Sequence, residues 1–146
     1  MRLTTFTDYS LRVLIHVASA PEGRATIAQI ARAFAISEHH LVKVVHRLGK
    51  AGFLANTRGH GGGLRLAQPA SEIGVGRVLR ATEGPDRLAE CFDCAHNACA
   101  LSGRCHLAGV LAEATRAFHE VLDRYTLEDL VRDRAPIVHI LHRHAA

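Results

Sequence analysis

Residues 7–67 change hydrophobic periodicity in an order that few folds accept. Three short amphipathic helices come first. Two short strands follow, joined by the glycine-rich tip Arg58-Gly59-His60-Gly61-Gly62-Gly63. Leu11, Leu14, Val17 and Ala18 recur at helical spacing, which predicts a helix over 7–19 with Thr7 as its cap. Pro21-Glu22-Gly23 breaks it. Thr26 can cap a second helix with Ile27, Ile30, Ala31 and Phe34 on one face. Ile36-Ser37 makes a short turn, and Ser37 can cap a third helix that turns Leu41, Val44, Val45 and Leu48 inward and ends at Gly52. Strands are expected over 53–57 and 64–67, because glycines permit a tight hairpin tip close to another surface.

Helix, turn, helix and a glycine-tipped hairpin are the parts of a winged helix-turn-helix. Its recognition helix must show polar side chains to base edges while its other face holds the core. The third helix has such a face, and its candidate DNA contacts are Ser37, His39, His40, Lys43, His46 and Arg47. The wing adds Arg58, His60 and Gly61, placed where a cation can enter the minor groove or clamp a phosphate. Charge agrees. Residues 1–80 carry eleven Lys/Arg against four Asp/Glu, and residues 81–146 carry seven against ten. A polyanion partner, double-stranded DNA, is expected for the front half alone. A merely solvated polar helix is the plainer account of one such face. It does not explain the preceding helix, the wing and the charge asymmetry together.

The back half opens with a helix over 75–83. Then all four cysteines of the chain fall within fifteen residues: Cys91, Cys94, Cys99 and Cys105. A helix over 106–125 follows, with Leu107, Val110, Leu111, Ala114, Phe118, Val121, Leu122 and Tyr125 on one stripe. That stripe is too apolar for water and too long for one small head to cover, which predicts a homodimer. Thr126 and Asp129 fit a capping box for a short last helix, and the tail with His139, His142 and His144 shows no clear order. The fold class expected is therefore mainly α: a winged helix-turn-helix with a two-stranded wing over 1–80, and a cysteine loop with a long dimerisation helix over 81–146.

No apolar run is long enough to cross a bilayer, and residues 1–20 do not read as a secretory signal, so a cytoplasmic protein without membrane attachment is expected. Thiols stay reduced there, which favours a metal, a cluster or a redox sensor over disulfides. Zinc prefers two separated CxxC knuckles, and only Cys91 and Cys94 form one. The wide, uneven spacing suits an iron–sulfur cluster, whose thiolates wrap a larger body. Zinc and bare thiol sensing remain the alternatives. A thiol oxidoreductase is disfavoured because its CxxC opens a helix beside a βαβ unit, and none is visible, so the chain does not read as an enzyme.

Several stretches carry a family resemblance: MRLTTFTDYSLRVL at the start, TRGHGGGLRLA on the wing, GVGRVLRATEG before the loop, and ECFD, NAC and GRCHL within it. Together they resemble the NsrR-type nitric-oxide-sensing repressors, winged-helix iron–sulfur regulators related to IscR. The resemblance implies a homodimer with crossing long helices and a [4Fe–4S] or [2Fe–2S] cluster held near the interface by three cysteines per subunit. By motif these are Cys91, Cys99 and Cys105, with Cys94 as the alternative first ligand. Asp8 matches an aspartate that in some members completes the site from the other subunit. Its plainer role is a carboxylate favoured by the dipole of the first helix. The implied function is a repressor that binds operator DNA with its cluster intact and releases it when nitric oxide attacks. The alternative is an iron or iron–sulfur status sensor of the same fold.

Overall fold

The computed structural model describes residues 2–57, 59, 62–84, 88–93 and 95–143. Helix α1 (Thr5–Ser19) begins two residues earlier than its apolar spacing predicts. Thr4, not Thr7, is the cap: its hydroxyl accepts the Thr7 N–H at 3.2 Å. Thr7 is fully buried inside the helix. Two threonines three residues apart look alike as caps in sequence, and only packing separates them.

Helix α2 (Ile27–Phe34) starts at the expected cap Thr26, which forms a full capping box with Gln29. It ends at Ala35, which adopts the left-handed region at φ +53°, and the Ile36 N–H closes the turn on the Ala31 carbonyl at 3.0 Å. Helix α3 (Glu38–Lys50) follows after this tight turn. Ser37 stands at its N-cap position, but its side chain makes no cap hydrogen bond. The end of α3 is a Schellman closure. Gly52 sits at φ +77°, Gly52 N–H reaches the Gly49 carbonyl, and Phe53 N–H reaches that of Leu48, both at 3.0 Å.

Strands β1 (Leu54–Thr57) and β2 (Gly63–Leu66) pair antiparallel, from Leu54 opposite Leu66 to Thr57 opposite Gly63. Helix α4 (Val75–Thr82), helix α5 (His106–Asp123) and the short α6 (Leu127–Leu130) come next, the last with the expected Thr126–Asp129 capping box. The expectation for the tail is corrected over the described residues, where α7 (Arg134–Arg143) is a helix; His144 lies outside them. Pro136 falls in its first turn, where a missing N–H costs nothing. Arg134 donates to the carbonyls of Ala18 and Ala20 at 2.7 and 3.1 Å, and so fastens α7 to the end of α1.

One core joins these elements. Val13, Leu14 and Val17 of α1 meet Ile30 of α2, Leu41, Val44 and Leu48 of α3, then Phe53, Ile73, Val78 and Leu127. Each fully buried Leu, Ile or Phe contributes about 1.5–3 kcal/mol relative to exposure. Helix α5 differs from the rest, for none of its residues is buried. Among the described residues no helix is long and apolar enough to cross a membrane.

Candidate functional site

The inward residues of α3 fix what its outer face can show. Because Leu41, Val44 and Leu48 are buried, Ser37, His39, His40, Lys43, His46 and Arg47 are all exposed. The His39 and His40 rings stand 6.2 Å apart at the start of the helix. Arg47 is not wholly free to point at DNA. Its Nε donates to the Ala81 carbonyl of α4 at 3.1 Å.

Arg58, His60 and Gly61 of the wing lie outside the described residues. The rest of the wing shows how it is held. Gly62 N–H donates to the Gly59 carbonyl at 2.9 Å, and Gly59 takes φ +99°. At its base, β2 leans on the segment before α2. Leu64 N–H donates to the Ala25 carbonyl at 2.8 Å, and Ala25 N–H to the Leu64 carbonyl at 3.1 Å. Gly63 makes this approach possible, since a Cβ there would lie 3.0 Å from the Ala25 oxygen. The wing thus has a fixed station beside the helix-turn-helix.

The cysteine loop is tied by its own side chains. Glu90 accepts the Ala98 N–H at 2.8 Å, Asn97 Oδ1 accepts the Cys99 N–H at 3.1 Å, and Asn97 Nδ2 donates to Ser102 Oγ at 2.7 Å. Cys91 lies in a single helical turn over Glu90–Phe92, and Cys105 is the N-cap residue of α5. At an N-cap, unpaired helix N–H groups favour nearby negative charge. Cys91, Cys99 and Cys105 are free and half-buried, and Cys91 and Cys105 line one open cavity of about 430 Å³ with His106. Cys94 lies outside the described residues. Thiolates are the donors an iron–sulfur cluster takes, so the set fits in kind. Among the described residues, however, no three His, Cys, Asp or Glu side chains gather as a metal-ligating group. Asp8 is engaged by Arg12, whose Nη2 lies 2.9 Å and Nε 3.1 Å from its carboxylate oxygens.

Sequence reasoning missed the contact between α4 and α5. Arg80 grips Asp123 with two hydrogen bonds, at 3.0 and 2.6 Å. These hold the Asp123 carboxyl below its ordinary range and raise the Arg80 guanidinium. The Asp123 carboxylate fills the space a side chain at Gly76 would need. An isolated glycine inside a helical pattern was the one available signal of this close approach. On the outward side of α5, Leu107 and Val110 are each 61% exposed and Val121 42%, so the expected apolar stripe stands largely uncovered in one chain; Tyr125, expected on the same helix, lies just beyond its end at Asp123.

The model of the Rrf2 family, described as iron-dependent transcriptional regulators, matches residues 3–133. The HTH-type transcriptional regulator NsrR of Bacillus subtilis strain 168 is 46% identical over 142 residues, covering 97% of both chains. That of Geobacillus kaustophilus strain HTA426 is 48% identical over the same length and coverage. Among solved structures, CymR, the global cysteine regulator of B. subtilis, superposes with TM-score 0.75 at 29% identity, over 90% of this chain and 97% of its own. The IscR of T. potens gives 0.73 at 26% identity, over 91% and 88%. The NsrR relatives are named as HTH-type transcriptional regulators, not enzymes, and the solved neighbours share the winged helix-turn-helix described above. On a family match that spans nearly the whole described fold, this chain belongs to the Rrf2 family of DNA-binding transcriptional regulators, as an NsrR-type member.

Proposed function

We propose that the chain is a homodimeric repressor whose hold on double-stranded operator DNA depends on an iron–sulfur cluster, [4Fe–4S] or [2Fe–2S], that reacts with nitric oxide. The observation that carries this reading is three free thiols on one short loop, the last of them at the first turn of α5. The relatives, named as HTH-type transcriptional regulators NsrR, support its DNA-binding regulator part. Cys91, Cys99 and Cys105 hold the cluster, with Asp8 of the second copy as an oxygen donor. When bound, the cluster supplies iron that reacts with nitric oxide. Asp8 must first give up Arg12, an exposed pair worth about 0–1 kcal/mol, so the exchange is cheap. The exposed stripe of α5 packs on its counterpart in the second copy. Residues 1–80 read DNA through α3 and the wing, and residues 81–146 carry the cluster loop and the dimer helix.

A second reading, sensing of iron or cluster supply, draws support from the family description and from the IscR neighbour. Anaerobic purification separates the possibilities. Brown protein that binds operator DNA and lets go on adding nitric oxide supports the proposal. Release on iron chelation, with no response to nitric oxide, supports the second reading. Colourless protein that binds DNA regardless of iron refutes both. Replacing Cys99 or Cys105 is expected to abolish the colour. Replacing Cys91 removes it and replacing Cys94 does not; the reverse makes Cys94 the first ligand.

A further inference from the structure

Four consecutive residues at the end and C-cap of α4 reach three other helices. Arg80 grips Asp123 at the end of α5. The Ala81 carbonyl takes the Arg47 guanidinium of α3 at 3.1 Å. Thr82 Oγ1 accepts the buried Thr7 hydroxyl of α1 at 3.0 Å and donates its own O–H to the Val78 carbonyl at 2.9 Å. Glu83 accepts the N–H of Thr4, the cap of α1, at 2.7 Å. Thr7 directly precedes Asp8, the candidate oxygen ligand, and Cys105, the last candidate thiolate, is the N-cap of α5. The base of α4 is clamped as well: Val75 N–H meets the Tyr125 carbonyl at 2.9 Å, and Leu127 N–H meets that of Ile73 at 2.8 Å.

We propose that the last turn of α4, Arg80-Ala81-Thr82-Glu83, is the junction through which the cluster site sets the position of the recognition helix, with Arg47 acting there as a positioning residue. This rests on the cluster-dependent reading above. The start of α1, whose Asp8 enters the site of the second copy, and the helix that follows this chain's own cysteines are both bonded to this turn, and the turn is bonded to α3. A shift of α5 or of the start of α1 therefore displaces the Ala81 carbonyl and, with it, Arg47. Gly76 leaves no slack, because a Cβ there would also lie 3.2 Å from the Asp123 backbone nitrogen.

The test measures operator affinity of the cluster-loaded and cluster-free full-length protein, and takes their ratio. Asp123→Asn weakens the link to α5, and Thr82→Val cuts the hydroxyl link to α1. Each variant is expected to keep the parental visible spectrum while its ratio drops about tenfold, within the usual range of coupling between sites. Arg47→Ala is expected to lower the ratio similarly, and Arg47→Lys not to restore it, because lysine carries no N–H at the position of the arginine Nε that bonds Ala81. A merely structural role would weaken both forms equally and leave the ratio alone. Parental ratios in coloured variants overturn the junction. A parent protein whose affinity ignores the cluster overturns the cluster-dependent reading itself, and the junction with it.

Discussion

Gly63→Ala tests how the wing is placed. The new Cβ would stand 3.0 Å from the Ala25 oxygen and 3.5 Å from its carbonyl carbon. That oxygen cannot swing aside freely, since it accepts the Leu64 N–H at 2.8 Å and its neighbouring N–H holds the Leu64 carbonyl at 3.1 Å. The backbone at φ +155° is also one that L residues rarely adopt. Two routes are open. Either the bridge stays and the site carries strain of about 1–3 kcal/mol, or the bridge opens and loses two hydrogen bonds of about 0.5–1.5 kcal/mol each. Both end near 2 kcal/mol. Urea unfolding reads this as a lower midpoint at unchanged slope. Operator titration reads it as weaker binding with a shallower salt dependence, the outcome expected if a wing cation holds a phosphate. Gly59→Ala is the control: φ is +99° there, yet nothing lies within 4 Å of its Cβ, so strain enters without a clash. Parental midpoint and affinity in Gly63→Ala would refute the anchoring role of Ala25.

Three further outcomes are expected. Ala35→Gly removes the cost of a left-handed alanine at φ +53°, and its gain of about 0.5–1 kcal/mol in thermal or urea unfolding checks the turn between α2 and α3. Val110→Lys places a charge on the uncovered stripe of α5, and light scattering should then give a mass near 15.9 kDa where the parent gives twice that. Asp129, bonded by the Thr126 N–H and hydroxyl, and Asp123, bonded by Arg80, both sit below the ordinary carboxyl range. Their contribution is present above the unfolded value and lost as pH falls through the folded one, so the urea midpoint should drop only below about pH 4.

Local signals carried most of the fold. Thr26 announces a helix start as a cap, and Thr126 with Asp129 announces another because a capping box needs only residues three apart. Gly52 announces a helix end because the left-handed region nearly requires it. Helix α7 was illegible for the opposite reason. Its buried side is Leu141 with half-covered Ile137 and Val138, too sparse for a period, and its fastening through Arg134 reaches 116 residues back. The candidate site divides in the same way. Alternation on α3 showed which side chains face outward, but not that Arg47 leans toward α4. Cysteine spacing showed which thiols share a loop, but not that Asp8 is turned to Arg12 within its own chain. Contacts between distant segments leave no pattern in a single sequence.

How a change at the cysteines could reach α3 depends on distance. Eighteen residues separate Cys105 from Asp123, about 27 Å of helix at 1.5 Å per residue. At physiological ionic strength, charges interact over about 8 Å before screening, so a charge altered at Cys105 is more than three such lengths from the far end of α5. A packed helix has no such limit. Its end moves with its start, and Asp123 is locked between Arg80 and the bare surface of Gly76. The two routes respond differently to salt. Raising salt from about 50 to 200 mM weakens operator binding of loaded and cluster-free protein alike, because both release counterions from the same phosphates. If displacement carries the signal, the ratio of the two affinities stays level across that range while each affinity falls. If through-space charge carries it, the ratio shrinks toward one, and the end of α4 has no part in the switch.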